Sequence, residues 1–219
     1  MLKKGNIMEI KSPVIVVGVP RSGTSFVVEC LMKYYGVRMC LNGFTTENDY
    51  ILDDNETYED ATVVSLNLKL MDGVLTFDEY KTEMIKFFNA MEEKEGPWGF
   101  KDPRLLRGLR WVIEHFDGNL TVIRTQRDSQ LVIQSMCKVL GWPEFEAIKR
   151  FNERNQIIEG SLRYKQLNIL HCKFGVKRRT TEEFCTTFEK SLAVKQEREA
   201  ESLEFFKRKQ ARRKLLNSS

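Results

Sequence analysis

Pro13-Val14-Ile15-Val16-Val17-Gly18-Val19-Pro20-Arg21-Ser22-Gly23-Thr24-Ser25 is the stretch that decides the fold. Val14 to Val17 form a short β-branched run, the pattern of a strand buried on both faces, and Gly18 ends it. Past the loop, Phe26, Val27, Cys30, Leu31 and Tyr34 recur at helical spacing. They predict a helix from about Thr24 to Tyr35, with Gly36 suited to its C-terminal end. Strand, glycine loop and helix in that order open a βαβ unit. In this setting successive backbone N–H groups and the helix N-terminus form an anion cradle, and the glycines let the backbone approach the anion closely.

Alternating elements continue downstream. Thr76-Phe77-Asp78-Glu79 is a capping box, and Phe77, Tyr80, Met84, Phe87 and Met91 follow on one helical face, best read as core packing. Trp98–Lys101 is a second short strand, stopped by Asp102-Pro103. Leu105, Leu109, Val112, Ile113 and Phe116 predict a helix closed by Asp117-Gly118. Leu120–Arg124 reads as a third strand. Leu131, Val132, Ser135, Met136 and Val139 lie along the next helix, which Gly141-Trp142-Pro143 ends. Phe145–Glu159 reads as helix and Leu167–Cys172 as a fourth strand. A second capping box at Thr180 opens a long charged helix from about residue 181. Leu41–Asp60, acidic and without a clear period, reads as a long loop over the site. Strands alternating with helices predict one α/β domain over 1–219: a three-layer fold with a largely parallel sheet of about four to five strands flanked by helices.

The composition fits. Of 219 residues, 42% are hydrophobic, enough for one sizeable core, and the net charge of +4 is too mild to argue for a nucleic-acid partner. The five cysteines form no C-x-x-C pair and suggest neither a disulfide framework nor a zinc site. The N-terminal residues lack an apolar h-region, and no stretch approaches the ~18 apolar residues of a bilayer span. The expectation is a cytoplasmic protein with no stable membrane insertion.

Set against the Walker A pattern G-x-x-x-x-G-K-[ST], Gly18 and Gly23 have the right separation, but Thr24 stands where the lysine belongs. The only cation in the loop is Arg21. The third strand runs into Arg124-Thr125-Gln126-Arg127 rather than a magnesium-binding acid. The expected site is arginine-rich and metal-free.

These residues resemble a known family. Pro20-Arg21-Ser22-Gly23-Thr24-Ser25 is similar to the 5′-phosphosulfate loop of sulfotransferases that use 3′-phosphoadenylyl sulfate (PAPS). It looks most like the "RSGTS" branch of bacterial sulfotransferases, which resembles protein-tyrosine sulfotransferases. Arg127 and Ser135, eight residues apart after a strand, resemble the pair that holds the donor's 3′-phosphate. Trp98-Gly99-Phe100-Lys101-Asp102-Pro103-Arg104 is similar to that branch's W-G-x-K-D-P-R segment. Asn55-x-x-Tyr58-Glu59 with Leu66-Asn67 looks like its N-x-x-G-Y-x-E … L-N region, although Thr57 replaces the glycine and Glu59 follows Tyr58 directly. The resemblance covers about Val14–Val139.

It implies in-line sulfuryl transfer, with PAPS as donor and no metal. Pro20, Arg21, Ser22, Gly23, Thr24 and Ser25 would cradle the 5′-phosphosulfate, and Arg127 and Ser135 the 3′-phosphate. Arg21 and Lys101 would stabilise the charge that develops, and Glu59 would be the general base, ahead of Glu47 and Asp49. Asp102 and Arg104 read equally well as an internal pair that fixes their loop. His115 and His171 read as structural. The basic tail Lys207–Lys214 reads as a solvated helix end, with an acidic partner as its sharper alternative. A small-molecule or glycan acceptor is implied. The chain is short for the family, so a homodimer is one way to complete the acceptor pocket. Two other classes stay open: a nucleotide kinase or NTPase with a degenerate loop, and a non-catalytic nucleotide-binding protein of the same fold.

Overall fold

A computed structural model describes residues 12–41, 58–117, 119–163 and 168–174, all within a compact unit spanning 1–179. Glu47, Asp49, Asn55, most of the acidic loop, the expected C-terminal helix and the basic tail lie outside these residues.

The expected α/β architecture is what the chain adopts. In order, the described elements are β1 (Val14–Val17), α1 (Thr24–Tyr35), α2 (Ala61–Met71), α3 (Phe77–Glu92), β2 (Gly99–Lys101), a 3₁₀ turn (Leu105–Arg107), α4 (Leu109–His115), β3 (Thr121–Arg127), α5 (Ser129–Leu140), α6 (Glu144–Leu162) and β4 (Asn168–Phe174). The strands form one parallel sheet in the order β2-β1-β3-β4, flanked by the six α-helices. β1 is central and fully buried, as its unbroken β-branched run requires.

Because all four strands are parallel, their C-terminal ends open on one edge of the sheet. There the loop after β1, the Lys101-Asp102 end of β2 and the Arg127-Asp128 end of β3 meet, the usual position of a ligand crevice in such sheets. Register pairs Val16 with Lys101, Val17 with Arg124 and Arg127 with Phe174.

The core joins the sheet to the helices through Ile15, Val122, Phe88, Phe100, Tyr80 and Met84 among others. The α3 stripe of Tyr80, Met84, Phe87 and Met91 is buried there, and Phe88 and Phe100 stack at 5.9 Å. The Thr76 capping box forms as expected, with Thr76 and Glu79 exchanging side-chain-to-backbone bonds.

Helix α6 and strand β4 each run two or three residues past their expected ends, and three further elements differ from expectation. Ala61–Met71 is a helix that the acidic run before it concealed. Asp60 is its N-cap, accepting from Thr62 N at 2.8 Å and Val63 N at 3.1 Å, and it also accepts from Leu41 N. The single helix expected over Leu105–Phe116 is a 3₁₀ turn followed by the short α4. β3 runs past Arg124 to Arg127, because pairing with β4 continues through Gln126 and Arg127 despite their polarity.

Candidate functional site

The loop after β1 is shaped by two residues at positive φ, Arg21 (φ 70°) and Gly23 (φ 98°). Ser22 N donates to Val19 O at 3.1 Å, and the first backbone bond of α1 runs from Val27 N to Gly23 O. The N–H groups at the start of α1 therefore lack intrahelical acceptors at the C-terminal edge of the sheet. The loop is closed from below by β3: the buried Ser22 and Thr125 hydroxyls lie 2.6 Å apart, and Thr125 Oγ1 also donates to Val17 O. Gly18 and Gly23 are required here. A Cβ on Gly18 would stand 2.0 Å from Thr125 Oγ1, and one on Gly23 would stand 2.8 Å from the Phe174 ring. Thr24 is buried, and Ser25 and Pro20 are partly exposed.

One side of the loop carries arginines. Arg21 Nε donates to Ser135 Oγ of α5 at 3.0 Å, and Arg127 Nη1 donates to the Arg21 carbonyl at 3.4 Å. Arg21, Arg127 and Ser135 are thus one cluster, although 114 residues separate its ends. Neither arginine has an ion-pair partner among the described residues. The nearby acid Asp128 is spent as the N-cap of α5, accepting from Leu131 N. Two arginines linked in this way, with no carboxylate partner among the described residues, have the chemistry to take an anion.

The other side carries a buried ion cluster. Lys101 Nζ donates to Glu59 Oε1 at 2.8 Å and lies 3.4 Å from Ser25 Oγ. Arg104 Nη2 pairs with Glu59 Oε2. Asp102 Oδ1 accepts from Arg104 N and Nε at 2.8 and 2.9 Å, and Asp102 Oδ2 accepts from Asn67 Nδ2 at 2.9 Å. Asn67 Oδ1 in turn accepts from the Tyr80 hydroxyl at 3.0 Å. The Lys101 and Glu59 side chains are only 3% and 6% exposed.

Burial lowers the Lys101 ammonium below the ordinary lysine range, against the pull of Glu59. Burial likewise raises the Asp102 carboxyl, partly offset by Arg104, and the Tyr80 phenol. Tyr58 at φ 51° reverses the chain just before Glu59, which then turns inward while Asp60 caps α2.

The two histidines stand apart from both groups. His115 packs among Phe88, Trp111 and Phe116, and His171 sits in β4 beside Arg124 and Glu159. Arg124 itself is tied to Glu159 at 2.6 Å.

Asn67 and Tyr80 carry parts that the residue patterns alone did not assign. Asn67 appeared only within the Leu66-Asn67 resemblance, and Tyr80 reads as core by spacing. Among the described residues no three His, Cys, Asp or Glu gather as a metal site, and no helix is long and apolar enough to cross a membrane.

No family model and no curated protein matches the chain. Among solved structures it is similar to a gluconokinase from Sinorhizobium meliloti 1021. That likeness has 17% identity and a TM-score of 0.50, over 90% of this chain and 98% of the other. It shows the fold alone, a parallel α/β sheet flanked by helices.

Proposed function

We propose that the chain is a sulfotransferase that moves a sulfuryl group from PAPS to a hydroxyl or amine acceptor, without a metal. The observation that carries this reading is the division of the crevice. Two arginines with no acidic partner among the described residues lie with Ser135 on one side of the loop, and a lysine–glutamate pair lies against Ser25 on the other. A nucleotide anionic at both its ribose and its sulfated end matches that division. The resemblance of the loop and of Trp98–Arg104 to the PAPS-dependent family supports the same assignment.

In this reading Pro20 to Ser25 cradle the 5′-phosphosulfate, and Arg127 and Ser135 grip the 3′-phosphate. The contact of Arg21 with Ser135 supports a phosphate-gripping role beside its expected share in charge stabilisation. The acceptor oxygen attacks sulfur in line as the bond from sulfur to the bridging oxygen breaks. The electron pair leaves with adenosine 3′,5′-bisphosphate, and Glu59 takes the acceptor proton.

Lys101 holds Glu59 through their ion pair. A sulfuryl group above Ser25 draws the ammonium to the bridging oxygen and releases a Glu59 oxygen for the acceptor. Catalysis rests on positioning and fixed charge.

Two predictions follow from these roles. Arg127→Ala should weaken adenosine 3′,5′-bisphosphate binding by about 1.5–3 kcal/mol, the scale of a charge-assisted bond; calorimetry giving wild-type affinity would remove Arg127 from the site. Because burial lowers Lys101 and its ammonium form is the active one, kcat should fall with rising pH before the pH at which an ordinary lysine titrates. A kcat that stays flat up to pH 10 would take Lys101 out of the chemistry.

A second reading is a small-molecule kinase, favoured by the gluconokinase's adoption of this fold and by Asp102, an acid at the end of a strand next to β1. Against it, Thr24 replaces the phosphate-binding lysine, and both Asp102 oxygens are engaged by Asn67 and Arg104. Assaying nucleotide turnover over an acceptor panel separates the two. Release of adenosine 3′,5′-bisphosphate from PAPS in the presence of a chelator supports the sulfotransferase. ATP turnover that needs Mg²⁺, with no PAPS turnover, supports the kinase.

A further inference from the structure

Helix α6 carries an arginine where its own pattern calls for an apolar side chain. Its inward stripe runs through Ala147, Phe151, Ile158 and Leu162, of which Ala147, Ile158 and Leu162 belong to the core and Phe151 packs against it. Arg154 lies three residues after Phe151 and four before Ile158, on that same stripe. It is half-buried. α6 packs against α4 and against the 3₁₀ turn that begins just after Arg104. Arg154 accordingly lies within electrostatic reach of Arg104 and Asp102.

The charges gathered there do not balance. Lys101, Arg104 and Arg154 are three cations; Glu59 and Asp102 are two carboxylates. All four carboxylate oxygens are engaged: those of Glu59 by Lys101 and Arg104, those of Asp102 by Arg104 and Asn67. Arg154 makes no hydrogen bond or ion pair with any described residue. Arg150 and Arg104 repel it, and of the acids near it Asp102 is already committed, while Glu153 adds only a long-range attraction. A partly desolvated guanidinium with no partner among the described residues is costly, and its planar fork matches a carboxylate.

We propose that Arg154 is a specificity residue that docks a carboxylate on the acceptor, so that the substrate class is hydroxy acids or acidic glycans. The proposal rests on the sulfotransferase reading, which brings the acceptor hydroxyl to Glu59. Arg104 contacts Glu59 and neighbours Arg154, so a carboxylate on Arg154 lies one arginine away from the base. Neutral alcohols of the same size lack this anchor.

The test is calorimetry on protein saturated with adenosine 3′,5′-bisphosphate, titrated with 4-hydroxyphenylacetate and with its uncharged amide. Wild type should bind the carboxylate at least tenfold more tightly than the amide. Arg154→Met and Arg154→Gln should each erase that preference and leave bisphosphate affinity within twofold, and Arg154→Lys should restore part of it. Arg154→Met should also melt at or above the wild-type temperature, because it removes from an apolar stripe a charge with no partner among the described residues.

Equal or undetectable binding of the two probes by wild type overturns the proposal. So does a preference that survives both substitutions, or a lowered melting temperature for Arg154→Met. A drop in bisphosphate affinity on either substitution would move Arg154 to the donor side and overturn it too. Failure of wild type to bind the bisphosphate at all defeats the sulfotransferase reading first, and this inference with it.

Discussion

Glu59→Gln should lower kcat by about 10²- to 10⁴-fold, the contribution of a positioned general base, while adenosine 3′,5′-bisphosphate affinity stays within a few-fold. Glutamine keeps the shape of the side chain and cannot take the acceptor proton. The same substitution removes the counter-charge of the buried Lys101 and the half-buried Arg104. Breaking one partner out of a buried cluster costs about 3–5 kcal/mol.

The Lys101 ammonium limits that loss, since burial already pushes it down and it can shed its proton. The sign is fixed by linkage. Lys101 titrates lower in the folded protein than in the unfolded chain, so the unfolded state binds more protons and stability rises with pH. In Glu59→Gln this slope should steepen through the alkaline range, which urea unfolding at a series of pH values reads directly. Turnover within threefold of wild type would remove Glu59 from the chemistry. A pH-independent stability difference would contradict the account of the buried pair.

Gly99→Ala should destabilise the fold by about 3 kcal/mol or more, at the upper end of overpacking effects. A Cβ at Gly99 would lie 2.2 Å from the Val14 carbonyl oxygen and 2.9 Å from its carbon. Both are backbone atoms of the central strand, so no rotamer change relieves the clash. β2 has to move off β1. Gly99 pairs with Val14, and two residues later Lys101 pairs with Val16 and points toward Ser25 and Glu59. Any variant protein that folds should therefore also lose turnover. An unfolding midpoint equal to wild type would show that the β1–β2 register is looser than these distances require.

Much of the fold could be read in advance because its signals are local. The Val14–Val17 run, the glycine loop and the spacing of the helix after it form one short contiguous message, and the capping box at Thr76 is another. Helix α2 escaped because its cap, Asp60, is one acid among many in Asp53–Asp60, and its N3 position holds Val63 rather than the Glu or Gln of a capping box. The end of β3 was placed too early because Gln126 and Arg127 are polar; their strand character comes from β4, not from their own propensity.

For the site, residue types and spacing drew attention to the loop, but not to its partners. Contacts such as Arg21 with Ser135 and Glu59 with Lys101 span 114 and 42 residues, and only the resemblance brought those residues together before the fold did. The three- and four-residue spacing of Arg154 from Phe151 and Ile158 sets it on one helical stripe, but only the packing of α6 makes that stripe the inward one.

The most direct measurement is isothermal calorimetry of the protein with adenosine 3′,5′-bisphosphate, run once with Mg²⁺ and once with a chelator. The account predicts one site per chain with the same affinity in both, weakened on Arg127→Ala. Absence of binding, or binding that appears only with Mg²⁺, would contradict it.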